Sequence, residues 1–259
     1  MNVLFRLDVG QKYGWGHYYR CKSISQILKS KYNCNVIFLM YFEDGLEYQS
    51  LKENIFFIEN SKSKKSEIDS ILNIIKREKI KALVLDIRTS LTGQDILNIK
   101  KEKVVVLAID DPSERRMFVD YSFYSPLIQL SNVNWDRALG KTFIGWDWMP
   151  IRSDIKKKTE FNQNKENYTK NLFLSMGGSD SIGLIFRIVN ALDKKINMKI
   201  NLVVGESFKK IIFLEQIIKK NPNDIEIFIN PKEITKLISN ADLAICSFGM
   251  TAYELAYCA

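Results

Sequence analysis

The single histidine of the chain, His17, lies in a glycine-rich segment that follows a short apolar run. Val3–Leu7 is predicted to be a strand, and the segment from Gly10 to Gly16 is predicted to be a loop that opens a helix. A histidine in the first helical turn meets the positive end of the helix dipole, which disfavours an imidazolium ion. His17 is therefore expected to be neutral and able to act as a general base. The alternative is a histidine that only caps or packs at the turn.

The residues around His17 suit a bound ligand. Gly14, Gly16 and Arg20 are predicted to contact the substrate, because glycines let the backbone approach a ligand and a helix N-terminus favours negative charge. Asp8 follows the predicted strand and is included with His17 as a catalytic residue. Two roles are open for Asp8: it could orient His17, or it could hold the loop in a purely structural way.

A second glycine-rich segment runs from Ser175 to Asp180, again between a predicted strand and a predicted helix. The backbone N–H groups of Gly177 and Gly178 can hold a phosphate, and Ser179 can add a hydroxyl group. Asp180 is included among the predicted binding residues. A structural role is compatible with this prediction, since Ser179 or Asp180 could be the N-cap of the helix after a tight turn.

A third segment of this kind lies near the end of the sequence. Ser247, Gly249 and Thr251 can contact phosphates through hydroxyl and backbone groups, and Met250 belongs to the same predicted loop. Glu254 lies one helical turn after Met250, and a carboxylate there can accept hydrogen bonds from both hydroxyls of a ribose. The alternative for Glu254 is an exposed helical glutamate without a ligand.

Carboxylates also follow two apolar runs, Asp86 after Ala82–Leu85 and Asp110-Asp111 after Val104–Ile109. Asp86 and Asp110 are predicted to bind substrate, because carboxylates at strand ends can bind sugar hydroxyls, assist a base or hold a metal. They could equally cap a turn, here the one before Pro112. Three residues near the predicted domain junction are expected to pack at a hinge rather than to contact a ligand: Trp146, Trp148 and Arg152.

Short apolar runs alternate with amphipathic stretches along the whole sequence. Two series of β-α-β alternation predict an α/β protein with two doubly wound, Rossmann-like domains, residues 1–151 and 152–259. The predicted helices include one over 182–192 and one over 208–218, and Cys21, Ile24, Ile27 and Leu28 are expected on one face of the first helix. Ligands should bind at the carboxyl ends of the strands, in a cleft between the domains. The sequence stops inside an apparent helix, so we expect a fragment with an incomplete second domain.

Composition excludes several classes of protein. Hydrophobic residues make up 46% of the chain, which allows a sizeable core and argues against disorder. No apolar run is long enough to span a bilayer, and Arg6 and Asp8 interrupt what would otherwise look like a signal peptide. The four cysteines lack metal-site spacing and indicate reduced thiols in a cytoplasmic protein. The net charge of +8 comes from scattered lysines without a nucleic-acid-binding motif, so no nucleic acid partner is expected. Weak attraction to an anionic membrane or to a diphosphate stays open.

Together the segments form a pattern: an N-terminal R-x-D-x-G…G-x-G-H-x-x-R, a central G-G-S-D and a terminal S-x-G-M-T-x-x-E-L-A. This pattern resembles the two-domain sugar-nucleotide proteins of the GT-B fold. The closest resemblance is to the UDP-2,4-diacetamido-2,4,6-trideoxy-β-L-altropyranose hydrolases of pseudaminic acid biosynthesis, a group that includes spore-coat polysaccharide biosynthesis proteins. The chain is more distantly similar to the glycosyltransferase that makes lipid II.

The resemblance implies an inverting hydrolysis at the anomeric carbon of a UDP-activated amino-deoxy sugar, with release of UDP. His17 then matches the general base, Gly177 to Ser179 the diphosphate loop, Ser247 to Thr251 the second phosphate loop, and Glu254 the ribose-binding carboxylate. No metal or cofactor is expected, because helix ends and backbone donors hold the diphosphate. We expect the chain to be a monomer without a membrane segment. Its expected partner is the small-molecule UDP-sugar substrate.

Two segments depart from the pattern of the resemblance. Ile87-Arg88 follows Asp86 where the hydrolases commonly carry His-Tyr, and Tyr124-Ser125-Pro126-Leu127 stands where they carry an asparagine. Both segments should lie near the sugar, so the resemblance supports the nucleotide better than the sugar. Two other functions stay open: an inverting GT-B glycosyltransferase, and a nucleotide-sugar-binding protein without turnover.

Overall fold

The structure is a computed structural model of the 259-residue chain, and it divides into two compact units, Met1–Pro150 (unit 1) and Ile151–Ala259 (unit 2). Two of the predicted binding residues, Gly14 and Ser179, lie outside the described residues. The structure describes residues 1–10, 15–42, 54–58, 64–88, 91–126, 135, 137–152, 154–155, 170–178, 180, 182–192, 196, 198–205 and 208–258.

Unit 1 is built on a parallel sheet of seven strands in the order β3-β2-β1-β4-β5-β6-β7. In chain order its elements are β1 (Asn2–Val9), α1 (Gly16–Tyr32), β2 (Asn35–Phe42), β3 (Ile55–Ile58), α2 (Lys64–Arg77), β4 (Ala82–Asp86), α3 (Gly93–Lys100), β5 (Val105–Ile109), β6 (Tyr121–Tyr124) and β7 (Lys141–Ile144). Two short 3-10 turns cover Glu114–Met117 and Trp146–Trp148.

Unit 2 has a parallel sheet of four strands in the order β10-β9-β8-β11. Its elements are β8 (Lys170–Ser175), α4 (Leu184–Ala191), β9 (Met198–Val204), α5 (Ile211–Ile218), β10 (Asp224–Ile229), α6 (Ile234–Ser239), β11 (Leu243–Cys246) and α7 (Met250–Cys258). The α/β architecture predicted from the alternation is thus present in both units.

Each sheet is covered by apolar side chains on both faces, as expected for parallel strands. In β1, Leu4 joins one buried cluster while its neighbours Val3 and Phe5 join another on the opposite face. In β8, Leu172 and Leu174 face one cluster and Phe173 faces the other. Because successive strand side chains point to opposite faces, continuous apolar runs fill two cores at once.

The strand order reverses next to the first strand of each unit. In unit 1, β1 lies between β2 and β4, and in unit 2, β8 lies between β9 and β11. In open parallel sheets, ligands bind outside the carboxyl ends of the strands at such a reversal. The two β-strand pairs that matter for function are therefore β1 with β4, and β8 with β11.

Several predicted helix boundaries and faces differ from the structure. The helix predicted over 182–192 begins at Leu184, since Gly183 has a positive φ of 70° and Ile182 is 75% exposed. The helix predicted over 208–218 begins at Ile211, and Phe208 is buried in the core instead. Ile27 was expected on the buried face of α1 but is 44% exposed, while Ile24 and Leu28 pack against the core.

The cysteines of the chain, Cys21, Cys34, Cys246 and Cys258, are free thiols. Within the described ranges, no helix is both long enough and apolar enough to cross a membrane.

Candidate functional site

His17 lies in the first turn of α1, the helix that follows β1 in the chain. Its Nδ1 is 2.6 Å from Oδ1 of Asp86, the last residue of β4. Because β1 and β4 are adjacent, with Leu7 paired to Asp86, the strand reversal brings the two side chains together. The His17 side chain keeps 12% of its surface exposed, whereas Asp86 is fully buried. No described residue hydrogen-bonds to Nε2, so this nitrogen can serve a substrate.

The Asp86 carboxylate is held from a second side by Arg20. The guanidinium donates from Nε to Oδ2 at 2.9 Å and from Nη2 to Oδ1 at 2.6 Å. Burial alone would raise the pKa of Asp86, but the charges of Arg20 and His17 and their hydrogen bonds hold it well below its usual range. Asp86 is therefore ionised. A carboxylate on Nδ1 fixes the histidine ring and balances the charge that forms when Nε2 takes a proton.

Arg20 connects this pair to a second carboxylate. Its Nη1 donates to Oδ2 of Asp110, which follows β5 and has a left-handed φ of 46°. The other oxygen of Asp110 accepts hydrogen bonds from the backbone N–H of Ser125 at 2.9 Å and from its hydroxyl at 3.0 Å. Arg20 is thus a buried clamp between two carboxylates. The structure gives Arg20 this positioning role, and its contact with a substrate stays a prediction.

Cys21 completes the buried surroundings of Asp86. Its Sγ is 3.5 Å from Oδ2 of Asp86, and burial together with that carboxylate raises the pKa of the thiol well above its usual value. The thiol therefore stays protonated and donates to Asp86 rather than acting as a nucleophile.

The two aspartates after β5 have different roles. Asp111 turns away from Asp110 and pairs with Arg115 at 2.8 Å, and its Oδ1 also accepts from the backbone and hydroxyl of Ser113. Its backbone carbonyl accepts from the hydroxyl of Tyr124 at 2.9 Å. Asp111 therefore stabilises the turn before β6, which is the capping role left open for this pair, while Asp110 belongs to the Arg20 cluster.

Asp8 does not orient His17 among the described residues. It is fully buried, its Oδ1 accepts from Arg6 at 2.8 Å, and its Oδ2 accepts from the backbone N–H of Arg88 at 2.7 Å. Arg6 in turn donates to Glu67 of α2 at 2.8 Å. Of the two roles left open for Asp8, the structure gives it the structural one, and Asp86 takes the orienting one.

The glycine loops of unit 2 lie side by side at the carboxyl ends of β8 and β11. Gly177 has a positive φ of 81°, and a Cβ at this position would be 3.5 Å from the hydroxyl oxygen of Ser247. The backbone N–H of Ser247 donates to the carbonyl of Ser175 at 3.1 Å, which continues the parallel pairing of the two strands. A Cβ on Gly249 would meet nothing within 4 Å. Among the described residues, the two loops are therefore in contact at Gly177 and Ser247, with open space beside Gly249.

A third glycine supports this arrangement from behind. A Cβ on Gly205, directly after β9, would lie 2.4 Å from the carbonyl oxygen of Gly178 and 2.6 Å from its Cα. No side chain fits in this position without moving the loop. Sequence reasoning missed Gly205, although a glycine at a strand end is a signal of close backbone approach.

Asp180 has a structural role at the start of α4. Its carboxylate accepts from the backbone N–H groups of Leu184 and Ile185, both at 2.9 Å, at the start of α4. The residue is buried and has a left-handed φ of 41°. The anion at the N-terminus of α4 is thus supplied by the chain itself. The N-cap residue of α4 is Gly183 and not Asp180, whose carboxylate lies three residues earlier and accepts from the first turn; a substrate contact of Asp180 stays a prediction.

Glu254 is buried and paired, so it is not an exposed helical residue. Only 2% of its surface is exposed, and its two oxygens accept from Nε and Nη2 of Arg152 at 2.6 and 2.5 Å. Arg152 was predicted to pack at a hinge, and the structure gives it this bidentate ion pair instead. The residues are 102 positions apart, so no local spacing could have indicated the pair.

Comparison with known proteins places these features in context. No family model matches the chain. It is 26% identical over 252 residues to the UDP-2,4-diacetamido-2,4,6-trideoxy-β-L-altropyranose hydrolase of Campylobacter jejuni, covering 95% of this chain and 85% of that protein. It is 24% identical over 267 residues to the spore coat polysaccharide biosynthesis protein SpsG of Bacillus subtilis, covering 98% of this chain and 74% of that one. The resemblance drawn from the motifs is confirmed.

A third relative is longer. The chain is 26% identical over 263 residues to an uncharacterized protein of Methanocaldococcus jannaschii, and spans 98% of its own length but 53% of that protein. The chain therefore corresponds to about half of this relative.

Solved structures decide the fold. The chain superposes on MurG of Acinetobacter baumannii with a TM-score of 0.63 at 14% identity, covering 100% of this chain and 76% of that one. It superposes on Anabaena HepE in complex with UDP-glucose with a TM-score of 0.56 at 14% identity, covering 100% and 78%. The fold is GT-B.

Within this GT-B fold the predicted site residues form two separate groups, one in each unit. The unit 1 group is His17, Arg20, Asp86 and Asp110, with Gly16 at the start of α1, where a Cβ would meet nothing within 4 Å. The unit 2 group is Gly177, Gly178, Ser247, Gly249, Met250, Thr251 and Glu254. Asp8 and Asp180 are structural members of these regions. The Arg88 side chain, which departs from the pattern of the resemblance, donates to the carbonyl of Asp110 at 3.1 Å.

Proposed function

We propose that the chain hydrolyses a UDP-activated amino-deoxy sugar at the anomeric carbon and releases UDP, as part of the biosynthesis of a sialic-acid-like sugar. The observation that supports this most strongly is the His17–Asp86 pair at 2.6 Å, with Asp86 ionised and buried. The similarity to the Campylobacter jejuni hydrolase over 95% of the chain supports the same activity. The similarity to the Campylobacter jejuni hydrolase also supports the broader class of a sugar-nucleotide-processing enzyme.

In the proposed mechanism, Asp86 accepts a hydrogen bond from the Nδ1–H of His17, which leaves the lone pair of Nε2 available. Nε2 takes a proton from a water molecule as its oxygen attacks the anomeric carbon. The bond from that carbon to the diphosphate oxygen breaks, and its electron pair leaves with UDP. The imidazolium that forms is balanced by the Asp86 carboxylate. Attack opposite to the leaving group inverts the anomeric centre.

The proposed role of unit 2 is to bind the nucleotide. The turn at Gly177 and Gly178, the hydroxyl of Ser247 and the first turn of α7 would hold the diphosphate. These donors stabilise the charge that accumulates on UDP as it leaves. Glu254 would accept ribose hydroxyls with the lone pairs that Arg152 does not use, and the bidentate pair would keep that carboxylate in place. The proposal requires both units to bind one substrate.

A glycosyltransferase with the GT-B fold is the second candidate. The chain shares this fold with MurG, and Nε2 of His17 could deprotonate a sugar hydroxyl as readily as water. A nucleotide-sugar-binding protein without turnover is the third. We also propose that the chain acts as a monomer in the cytoplasm, where its four free thiols would remain reduced.

UDP release in the absence of an acceptor separates these functions. The 259-residue chain is incubated with UDP-linked amino-deoxy sugars in ¹⁸O-labelled water, and UDP and the free sugar are followed by mass spectrometry. Hydrolysis gives UDP together with a sugar labelled at the anomeric oxygen. Release that needs an added acceptor would instead show transfer, and saturable binding without release under either condition would show a binding protein.

A further inference from the structure

Helix α5 of unit 2 presents large apolar side chains outward. Its sequence from Ile211 to Ile218 contains one charged residue, Glu215. Leu214 is buried and anchors the helix to the core, whereas Ile212 is 70% exposed and Phe213 is 55% exposed. An amphipathic helix that only covers a core would place polar residues at these outward positions.

The exposed side chains of α5 continue onto α4. The ring of Phe213 contacts that of Phe186 with centroids 5.3 Å apart. We define Phe186, Ile212 and Phe213 as the α5 patch. The patch lies on the helices that cover one face of the unit 2 sheet and includes none of the glycine-loop residues described above.

Exposed lysines surround this patch at both ends of α5. Lys209 and Lys210 precede the helix, and Lys219 and Lys220 follow it, all four with exposed side chains. Lys210 reaches over the patch itself, with its Nζ 5.9 Å from the centroid of Phe186. Residues 209 to 220 thus carry four positive charges and one negative charge, that of Glu215.

The charges decide which partner fits. A second copy of the chain, packed through the same patch about a twofold axis, would bring like-charged lysines together at the rim. A nucleic acid would leave the central isoleucine and phenylalanine side chains without apolar contacts. An anionic bilayer surface suits both the apolar side chains and the lysines, because the apolar side chains enter the headgroup boundary while the lysines remain among the phosphates.

We propose that the α5 patch docks the protein on an anionic phospholipid surface, with Ile212 and Phe213 inserted and the flanking lysines at the headgroups. Binding of this kind is reversible and weakens as salt is added, since the attraction of lysines to the surface is screened. The inference is independent of the proposed hydrolase activity.

Co-sedimentation of the full chain with vesicles tests this. Wild-type protein is expected to bind vesicles of phosphatidylcholine with 30% phosphatidylglycerol, a composition chosen as about that of a strongly anionic membrane, and not pure phosphatidylcholine. Ile212→Ser combined with Phe213→Ser is expected to lower the partition coefficient about tenfold or more without changing net charge. Lys209→Gln combined with Lys210→Gln is expected to lower it about 25-fold, because each lysine near such a surface contributes a factor of about five.

A matched control removes two other exposed apolar side chains of the same unit, Ile229 and Leu243, by substitution with serine. This control is expected to bind vesicles like the wild type. Equal binding by the wild type and the Ile212/Phe213 variant would overturn the proposal, as would no binding of the wild type to anionic vesicles at low salt. Concentration-dependent dimerisation that the Ile212/Phe213 variant abolishes would assign the patch to a second copy and also overturn it.

Discussion

In each sheet the strand order reverses next to the first strand, but the residues that follow the strands there are of different kinds in the two units. In unit 1 the reversal between β1 and β4 holds charged side chains, with His17, Asp86, Arg20 and Asp110 linked in one buried chain of contacts. In unit 2 the reversal between β8 and β11 holds glycines and hydroxyls, with Gly177 beside Ser247.

The proposed function assigns different tasks to the two units. Proton transfer needs a side chain held in one orientation, which a buried ion-pair network provides. Binding of a diphosphate needs donors without bulk, which glycine-rich turns provide. We expect substitutions in the unit 1 cluster to change stability and turnover, and substitutions in the unit 2 loops to change affinity for the nucleotide.

The largest effect is expected from removing the cation of the unit 1 cluster. Arg20→Met leaves Asp86 and Asp110 without their guanidinium, and loss of one partner of a buried ion pair costs about 3–5 kcal/mol. The free energy of unfolding in urea, followed by circular dichroism, measures this loss. Arg152→Met is the control from unit 2: the Arg152 side chain is 23% exposed, against 7% for Arg20, so its loss should cost less. Equal losses of unfolding free energy in the two variants would contradict the expected difference between the units.

Asp86→Asn tests the orienting role of Asp86. The amide cannot balance an imidazolium ion, so kcat is expected to fall about 100-fold while the KM for the nucleotide sugar stays the same. The matched control is Asp111→Asn, which alters a buried, arginine-paired carboxylate that does not face His17. Steady-state UDP release measures both variants. A similar fall in kcat for Asp111→Asn would show that the effect is structural and not specific to His17.

Two glycine substitutions test the unit 2 loops. Gly205→Ala must displace Gly178, so we expect both lower stability and a Kd for UDP that rises about tenfold, on the scale of one lost hydrogen bond to a charged group. Gly249→Ala meets open space in the protein alone and should weaken UDP binding without loss of stability. Isothermal titration calorimetry and thermal unfolding give the two quantities. Unchanged UDP affinity in both variants would show that these loops do not bind the diphosphate.

The smallest effect is expected at Glu254. Glu254→Gln keeps a hydrogen bond to Arg152 but weakens acceptance of ribose hydroxyls, so KM should rise about fivefold with kcat unchanged. Glu233→Gln, which changes an exposed glutamate paired with Lys236, is the control and should leave KM unaltered. Initial rates over a range of substrate concentrations give kcat and KM for both variants. A fall in kcat at constant KM would place Glu254 in the chemical step instead.

Much of the fold was predictable from the sequence, because apolar runs and helical periodicity are local signals. The α/β class and the positions of most strands agree with the structure, and the GT-B resemblance is confirmed. Helix starts were less predictable, since the start of α4 depends on where the Asp180 side chain points.

The site was predictable as residues but not as contacts. His17, Arg20, Asp86 and Asp110 were all identified, yet the sequence could not show that Asp86 rather than Asp8 pairs with His17, because pairing depends on the strand order. The Arg152–Glu254 pair joins residues distant in sequence and was missed for the same reason. Long-range ion pairs become visible once the sheet order is known.

The central claim is that His17 carries out the chemical step while unit 2 binds the nucleotide. Single-turnover cleavage of a bound UDP-linked amino-deoxy sugar by His17→Ala, measured alongside the Kd of that variant for UDP, tests it most directly. We predict cleavage at least about 100-fold slower than in the wild type, with the Kd for UDP unchanged. Cleavage at the wild-type rate, or a loss of UDP affinity that accounts for all of the decrease, would contradict it.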